Sequence, residues 1–435
     1  MVIDVSTSAA YPPVPLIPRP RWWQRPAVRY TALITLLTIS GVVILALVRE
    51  QTGTQGLLVG LGLAIFPVPL LLTAFRWLDR VDPAPWRNMV FAFAWGACAA
   101  TLIAIVANTF TTQWIANTTA DPDGADTLGA TLIAPIVEET AKAAAVLLVF
   151  LFRRRQFTGL VDGVVIAGTA AAGFAFTENI LYLGSAYGTD QIAGDKVSVT
   201  AATFFVRVIM SPFAHPLFTV FTGIGFGLSA LTVDGRRVRR VLFPLTGLVL
   251  AMGMHSLWNG SAHFGPLGFF VVYGVFMVPV FGLLTWLVIW TRQRELRYLR
   301  EELPAYVAAG WLSPAEPFAL SSMKARRVAR DYATHYLGKP AAKTLTEYES
   351  TALALAQLRR RGRLGHPPAD FVAREQRLLA ALWTARTTTR PALEYAARAT
   401  APPMPVTLPW QHQWQPPVTW QQPPAYGAPY GGYRA

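Results

Sequence analysis

The chain has 435 residues, of which 53% are hydrophobic and 14% are charged, and its formal net charge at pH 7 is +14. An ordinary soluble domain has about a quarter of its residues charged, so this composition does not fit a single soluble globular domain. Cys98 is the one cysteine, and an intrachain disulfide is excluded because it needs two thiols.

Eight apolar runs follow the N-terminal arm in chain order. A helix needs about 20 predominantly apolar residues to cross a bilayer. Runs of this kind lie near 31–48, 56–75, 89–107, 128–151, 160–183, 201–231, 241–260 and 266–290. They predict an all-α fold, a polytopic bundle of about eight transmembrane helices. Pro212 and Pro216 lie inside the sixth run and predict a kink or a break there.

Basic residues alternate between the loops that join these runs. The loops that carry arginine clusters are 76–88, 153–155 and 236–240, together with the N-terminal arm. Three of the intervening loops are 108–127, 184–199 and 261–265, and they hold one basic residue between them, Lys196. Because cytoplasmic loops carry the excess of Lys and Arg, both termini are predicted to lie on the cytoplasmic side of the cell membrane.

After residue 290 the composition changes from apolar to basic. Residues 291–435 hold 20 Lys or Arg and 10 Asp or Glu, and their pattern predicts soluble helices near 343–361 and 370–386. The anionic membrane surface accounts for a basic cytoplasmic region, so nucleic acid is not a predicted partner. The predicted domains are a disordered cytoplasmic arm (1–30), a transmembrane domain (31–290), a basic helical region (291–400) and a disordered Pro-, Gln- and Tyr-rich tail (401–435) that could bind a cytoplasmic partner.

The fourth to seventh runs carry ionisable and strongly polar side chains at membrane depth. A charged side chain at the centre of a bilayer costs about 2.5 kcal/mol or more, so each of them indicates a function. These residues are Glu138, Glu139, Lys142, Glu178, Asn179, Arg207, His215, His255 and Asn259. Counted from the predicted helix ends at about 1.5 Å per residue, the set converges in the outer half of the bilayer.

Carboxylates and imidazoles at one buried site suit a metal-assisted hydrolase. Neutral imidazole nitrogens and a carboxylate are good zinc ligands, and a catalytic zinc keeps one position for water. The metal makes that water more acidic, and a free glutamate takes its proton. An amide such as that of Asn259 can hold a ligand or stabilise a developing oxyanion. The same residue types also occur in ion-coupled transporters, and spacing alone does not decide between the two.

Four motifs occur in order on these four successive predicted helices. They are Glu-Glu-x-x-Lys at 138–142, Phe-x-x-x-Glu-Asn at 174–179, the single histidine His215, and His-x-x-Trp-Asn at 255–259. The set resembles the PrsW family of membrane-embedded proteases, which belongs with the CAAX-prenyl protease and bacteriocin-processing superfamily. Asp162-Gly163 and the segment 78–83 agree with it, and the resemblance covers about residues 70–290.

The resemblance implies a role for each matching residue. Glu138 matches the glutamate that activates water in the superfamily, His255 and Asn259 match its terminal histidine and asparagine, and His215 matches an additional histidine of the PrsW family. The predicted catalytic residues are Glu138, Glu139 and Asn259, the predicted metal ligands are Glu178, His215 and His255, and the supporting residues are Lys142, Asn179 and Arg207. The family further implies a divalent metal, zinc, and a single-pass membrane protein such as an anti-sigma factor as the substrate, cut near the outer half of the bilayer.

Two other classes of protein remain open at this point. An ion-coupled transporter often shows internal repeats, and the first four and last four predicted helices show none. A non-enzymatic membrane scaffold or immunity-type protein would tolerate the loss of Glu138 and His255. The polar side chains also have structural interpretations, because Lys142 or Arg207 can neutralise a buried carboxylate and a buried histidine can hydrogen-bond between helices.

Overall fold

A computed structural model describes residues 25–157, 159–193, 198–232, 236–365 and 367–401. Within these ranges the chain is helical and has no strand, which confirms the all-α prediction. The helices are α1 (Pro26–Ala64), α2 (Pro67–Leu78), α3 (Trp86–Ala94), α4 (Thr101–Thr119), α5 (Pro122–Leu128), α6 (Ala134–Phe152), α7 (Leu160–Ala193), α8 (Val199–Phe204), α9 (Ala214–Leu231), α10 (Arg237–Ser261), α11 (Gly265–Val271), α12 (Val278–Glu302), α13 (Pro304–Ala308), α14 (Glu316–Ser321), α15 (Met323–Tyr332), α16 (Lys339–Arg363) and α17 (Phe371–Thr400). Lys196 and most of the predicted arm and tail lie outside the described residues.

Five segments of the described chain are long and apolar enough to cross a membrane, which confirms the membrane class. They are Ala27–Leu78, Trp86–Thr119, Leu160–Ile192, Val199–Leu231 and Arg237–Ala308. The first and the last have 52 and 72 residues, and at about 1.5 Å per residue each exceeds twice the roughly 30 Å of a hydrocarbon core. Glycines with positive φ interrupt both, Gly53 at 72° and Gly265 at 67°. The number of eight spans stays a prediction.

The first of these segments leaves one end of the bundle and returns to it. Arg153, just after α6, donates hydrogen bonds to Tyr30 Oη at 3.3 Å and to Asn88 Oδ1 at 2.8 Å, so the beginnings of α1 and α3 lie together. Gly53 lies between them and allows the change of direction, because positive φ is strained for a residue with a Cβ. The arginine-bearing loops 76–88 and 153–155 therefore share one end of the bundle, called here the basic end.

The fourth predicted span is not among the five apolar segments. It consists of α5, a π-helical turn at Gly129–Ile133, and α6. The α6 helix carries Glu138, Glu139 and Lys142, and three ionisable side chains within one stretch break its apolar character. All three side chains are buried, so this helix presents its polar face to the bundle interior.

The break predicted in the sixth span is confirmed. The α8 helix continues into a π-helical turn at Phe205–Met210, and the backbone leaves the helix at Ser211. The α9 helix begins at Ala214 and has Pro216 in its first turn, where a proline removes no required hydrogen-bond donor. As a result, His215 stands at the buried beginning of a new helix.

The α7 helix is the central element of the bundle, and most of its apolar stretch is buried. It crosses α9 at Gly163 and Gly223, where the two backbones are in direct contact. A Cβ added to Gly163 would overlap the main-chain oxygen of Gly223, and a Cβ added to Gly223 would overlap that of Gly163. Main-chain atoms of a packed helix cannot give way as a flexible side chain can, so these glycines fix how closely α7 and α9 approach.

Gly163→Ala should destabilise the bundle, whereas Gly188→Ala should not. The first substitution forces α7 and α9 apart, and overpacking of this kind typically costs about 1–3 kcal/mol. Gly188 lies on the same helix with open space around its Cβ position, and alanine is favoured there by roughly 0.5–1 kcal/mol. Thermal unfolding in detergent measures both variants. Equal unfolding midpoints for Gly163→Ala and Gly188→Ala would contradict the close approach of α7 and α9.

The helices that follow the membrane bundle build a second hydrophobic core. The α12 helix supplies Leu296 and Leu299 to it, and later helices supply residues such as Leu345 and Leu393. The soluble helices predicted near 343–361 and 370–386 are confirmed as α16 and α17. Because α12 runs without a break from the bundle into this core, the two parts of the chain share one helix.

The loop between α2 and α3 also docks on the second core. Val81 is 2% exposed and belongs to the same apolar cluster. Arg326 of α15 is fully buried and donates hydrogen bonds to the main-chain oxygens of Val81 and Leu320, both at 2.6 Å. The C-terminal helices therefore lie against the basic end of the bundle. The domain boundaries at 290 and 400 stay a prediction.

Candidate active site

The α6 helix places two carboxylates and one ammonium group inside the bundle. Lys142 Nζ lies 3.2 Å from Glu138 Oε2 and 2.9 Å from Glu139 Oε1. The spacings of three and four residues bring all three side chains onto one side of the helix. Lys142 and Glu139 are fully buried, and the ammonium lies 3.9 Å from the centre of the Phe174 ring. The lysine therefore partly compensates the two acidic charges.

The α10 helix contributes His255, which is 1% exposed. Its Nδ1 lies 3.0 Å from Glu139 Oε1, while its Nε2 lies 3.8 Å from Glu138 Oε2. The ring of Phe218 stacks on the imidazole with a centroid separation of 4.8 Å. Glu139 and Phe218 thus fix the orientation of the ring and leave Nε2 on the side of Glu138.

The α9 helix contributes His215, whose two nitrogens also have different neighbours. Its Nε2 lies 2.7 Å from Glu178 Oε2, and its Nδ1 lies 3.2 Å from Lys142 Nζ. The two histidine rings are 5.2 Å apart between centroids. Glu178 therefore holds one nitrogen of His215, and the other nitrogen faces the carboxylate and ammonium cluster of α6.

Arg207 closes the cluster on the side of α8. Its guanidinium forms an ion pair with Glu178, and its Nε donates to Asn179 Oδ1 at 2.8 Å. The guanidinium also lies over the ring of Tyr182, with Cζ 4.0 Å from the centroid. Arg207 is partly exposed, so this end of the network reaches the surface of the bundle.

The π-helical turns of the membrane helices contact the same region. A π-helical turn shifts the backbone hydrogen bonds and can free a carbonyl oxygen for another donor. In three of these turns a carbonyl oxygen accepts a hydrogen bond from a side chain of another helix: Ala97 from Thr177 at 2.8 Å, Ala130 from Asn259 at 2.9 Å, and Met210 from Tyr273 at 2.8 Å. These bonds help to fix the helices that carry the site.

One carboxylate and the two histidines have the geometry of a metal-binding group. One ligand atom from each of Glu138, His215 and His255 lies within 4.8 Å of the others, and all three residues are buried. Two imidazoles and a carboxylate are a donor set that zinc accepts. Each histidine also has a carboxylate at its other nitrogen, Glu178 for His215 and Glu139 for His255. Metal-binding histidines are commonly held in this way, so the residues present fit a metal ion.

The structure links eight of the nine predicted site residues in one network. The group whose ligand atoms lie together contains Glu138 rather than Glu178, and the ligand role of Glu178 stays a prediction. Glu178 instead contacts His215 and Arg207. Asn259 is the residue that stands apart, since its described hydrogen bond goes to the Ala130 carbonyl and not to the cluster.

Sequence reasoning missed two residues that shape the cluster. Thr219 is fully buried and donates a hydrogen bond to Glu139 Oε2 at 2.7 Å. It lies four residues after His215, so helical spacing on α9 contained the signal for its position. Phe218, which stacks on His255, could not be distinguished in the sequence from any other apolar residue of α9.

The sequence matches known proteins over the part of the chain that carries this site. Residues 84–284 match the profile described as PrsW family intramembrane metalloprotease. The chain is 23% identical over 199 residues to the Protease PrsW of Clostridioides difficile (strain 630). The aligned region covers 45% of this chain and 76% of that protein. No solved structure matches. The C-terminal helices beyond α12 lie outside the matched profile.

Proposed function

Because the chain belongs to the PrsW family of intramembrane metalloproteases, we propose that it hydrolyses a peptide bond of a membrane protein at the cluster formed by Glu138, His215 and His255. The observation that carries this proposal is the convergence of the three ligand atoms in a buried position. A scaffold does not need such a group, and a transporter does not need each histidine held by its own carboxylate.

Glu139 and Glu178 determine which histidine nitrogens remain available. They engage His255 Nδ1 and His215 Nε2, so the nitrogens that no carboxylate engages are His255 Nε2 and His215 Nδ1. In this structure His215 Nδ1 lies 3.2 Å from Lys142 Nζ, so metal binding there would displace the ammonium from this nitrogen. These two nitrogens would hold the metal, and the carboxylate of Glu138 lies beside them, where it can act on the water of that metal. A metal bound there would supply an acidic water and polarise the carbonyl group of the substrate.

Glu138 is the carboxylate best placed to move a proton. Unlike Glu139 and Glu178, it is not the closest partner of either histidine, yet it faces His255 Nε2. In the proposed reaction Glu138 accepts the proton of the attacking water and gives it to the leaving amine. Lys142 stabilises the charged carboxylates of α6, and Asn259 positions α10 through its bond to Ala130.

The depth of the site supports a cleavage position far from the basic end. Glu178 lies 18 residues after the beginning of α7, and His255 lies 18 residues after the beginning of α10. The α10 helix also begins at the basic end, because Gly227, near the end of the preceding α9, packs against Leu160 at the beginning of α7. At about 1.5 Å per residue both side chains are roughly 27 Å from the basic end, in the distant half of a roughly 30 Å core. With the basic end cytoplasmic, the cut falls in the outer half of the bilayer.

The proposed substrate is a single-pass membrane protein, with anti-sigma factors as the first candidates. The proposed orientation puts both termini and the region 291–400 in the cytoplasm, where the tail 401–435 would meet a cytoplasmic partner. Reporter fusions after residues 120, 234 and 435 test the orientation. The first reporter should be external and the other two cytoplasmic, and any other pattern would contradict it.

Profiling of protein N-termini in membranes tests the activity itself. Cells that carry the native chain are compared with cells that carry Glu138→Gln, His255→Gln or the control His263→Gln, which changes an exposed histidine beyond the end of α10. A truncated single-pass protein should be present with the native chain and the control and absent with the other two. A set of fragments that is identical in all four would contradict proteolysis.

Metal removal should abolish the hydrolysis reversibly. A chelator such as 1,10-phenanthroline should stop cleavage by the purified protein, and added zinc should restore it. The bound metal, measured by elemental analysis, should fall in His215→Ala and His255→Ala but not in His263→Ala. Undiminished cleavage by a metal-free preparation would contradict the metal role and leave the proteolytic assignment in place.

A further inference from the structure

An apolar groove lies between α2, α7, α9 and α12. It has a volume of about 170 Å³, and nearly all of the described residues that line it are apolar. The residues that α12 supplies are Phe281, Leu284, Thr285 and Val288. These positions recur every three or four residues, so they lie on one face of the helix. Trp77 of α2 also lines the groove and is 41% exposed, so the groove reaches the surface of the bundle there.

Arg292 continues the same face of α12 by one turn. It follows Val288 by four residues, and residues at this spacing are neighbours on a helix surface. Its guanidinium lies over the ring of Trp77, with Cζ 5.2 Å from the ring centroid. Because Val288 and Trp77 both line the groove, Arg292 stands at one end of it. The stacked indole ring holds the planar guanidinium and its hydrogen-bond donors in a fixed orientation.

The guanidinium of Arg292 has no acidic partner among the described residues. Its Nε is buried and donates no hydrogen bond to any of them. Its charged neighbour is Arg80, an exposed residue of the loop after α2, so two positive charges lie near each other. Glu295, three residues further along α12, lines a different cavity together with Asp162 and has the buried Arg326 among its charged neighbours. The charge of Arg292 is therefore left for a ligand.

We propose that the groove binds one anionic phospholipid, with an acyl chain along α12 and the headgroup phosphate at Arg292 and Arg80. A phosphate supplies the negative charge and the acceptor oxygens that complement two neighbouring guanidinium groups. The apolar wall of the groove complements the acyl chain of the same molecule. Basic pockets between membrane helices on the side of the basic loops bind anionic headgroups in this way.

The dimensions agree with one lipid in one leaflet. Phe281 and Arg292 are eleven residues apart, which is about 16 Å along the axis of α12. One leaflet contributes about 15 Å of hydrocarbon, half of the roughly 30 Å core. Arg80 belongs to the loop 76–88 at the basic end, so the phosphate would lie at the headgroup level of that leaflet. A membrane-spanning helix is about 10 Å across with its side chains and needs far more room than this groove provides.

Photolabelling in vesicles tests the proposal without any need for hydrolysis. Full-length protein is reconstituted in phosphatidylcholine vesicles that contain a trace of phosphatidylglycerol with a photoreactive acyl chain, and mass spectrometry identifies the labelled residues. Phosphatidylglycerol should label residues of α2 and α12 that line the groove. The labelling should be at least about fivefold stronger than that by a phosphatidylcholine with the same photoreactive chain.

Matched variants test the two parts of the site separately. Arg292→Gln and Arg80→Gln should each lower the labelling about fivefold, the effect of one basic residue beside an anionic lipid. Arg297→Gln removes an equal charge from an exposed position on another face of α12 and should leave the labelling unchanged. Thr285→Trp should reduce the labelling by filling the groove, whereas Leu283→Trp, at an exposed position of the same helix, should not.

Four results would overturn the proposal. Equal labelling of Arg292→Gln, Arg80→Gln and Arg297→Gln would exclude a headgroup site, and equal labelling by the two lipids would make the groove a general lipid contact. Displacement of the label by inorganic phosphate would assign the arginines to a free anion. Displacement by a peptide with one Leu/Ala span would assign the groove to a helix.

Two further comparisons keep the interpretation unambiguous. The unfolding temperature in phosphatidylcholine alone should be the same for Arg80→Gln and the native chain, because Arg80 is exposed, so a lost label in this variant reports binding and not misfolding. Cleavage that depends on Glu138 enters none of these measurements. The lipid site and the proposed function can therefore fail independently of each other.

Discussion

Glu138→Gln is expected to abolish hydrolysis at every metal concentration, whereas Glu178→Gln is expected to recover when zinc is added. Glu138 faces the cluster of available histidine nitrogens, and loss of a group that transfers the proton costs about 10²–10⁴-fold in rate. Glu178 supports His215 from the other nitrogen, and loss of such a support typically costs about 10–100-fold in metal affinity.

The measurement is the rate of substrate cleavage by each purified variant as a function of zinc concentration. Glu50→Gln, an exposed glutamate at the interruption of α1, is the control and should behave as the native chain does. The opposite pattern, with Glu138→Gln restored by zinc and Glu178→Gln inactive throughout, would give the proton-transferring role to Glu178. It would also give Glu138 a supporting role.

Lys142→Met is expected to destabilise the protein more than any surface substitution. The ammonium lies within 3.2 Å of two carboxylates and is fully buried, so its removal leaves two acidic groups with less compensation in a medium of low dielectric constant. Removal of one partner from a buried ion pair typically costs about 3–5 kcal/mol. Methionine has a similar length and keeps the packing of the side chain.

The free energy of unfolding in detergent, or resistance to protease, measures this effect. Lys343→Met is the control, because Lys343 pairs with Glu347 on the exposed surface of α16 and should have no measurable influence. The double variant Lys142→Met with Glu139→Gln should recover part of the lost stability, since it removes one of the two charges that lost their partner. Equal stability of Lys142→Met and the native chain would show that the ammonium does not compensate the carboxylates.

The sequence was sufficient to predict the helices and most of the polar side chains that the structure brings together. A long apolar run in a bilayer must satisfy its backbone hydrogen bonds internally, and it does so as a helix. Hydropathy therefore predicted the apolar segments near 31–48 and 160–183, which lie within described helices. Ionisable residues at membrane depth are rare for energetic reasons, and this made Glu138 and His255 visible without a structure. The break near Pro212 followed from the missing hydrogen-bond donor of proline.

The division of roles among the glutamates could not be predicted from the sequence. Helical spacing gives the relative angle of residues on one helix, but it does not give the rotation of α6 against α7. The π-helical turns at Gly129–Ile133 and Phe205–Met210 make these rotations harder to predict, since each inserts an extra residue and changes the phase of the helix that follows. Which of Glu138 and Glu178 meets both histidines depends on those rotations.

The contact between Val81 and Arg326 was equally hidden, and it has a consequence for the biogenesis of the protein. The two residues are separated by 245 positions, so the loop after α2 can form its contact with Arg326 only after α15 has left the ribosome. At 5–20 residues per second this delay is roughly 12–50 s. Val81 is an apolar residue in a loop at the membrane surface, and during this interval nothing from the second core covers it.

The second core also draws Leu296 and Leu299 from the continuation of the last membrane helix. Its assembly can therefore finish only after α12 has been placed in the bilayer and α15 has been synthesised. Protection of the C-terminal helices from protease then reports that insertion is complete. In a pulse-chase experiment, a chain truncated before α15 would stay accessible to protease at the loop after α2 for as long as the chain persists. Quality-control proteases could recognise an unfinished membrane protein by this exposed loop.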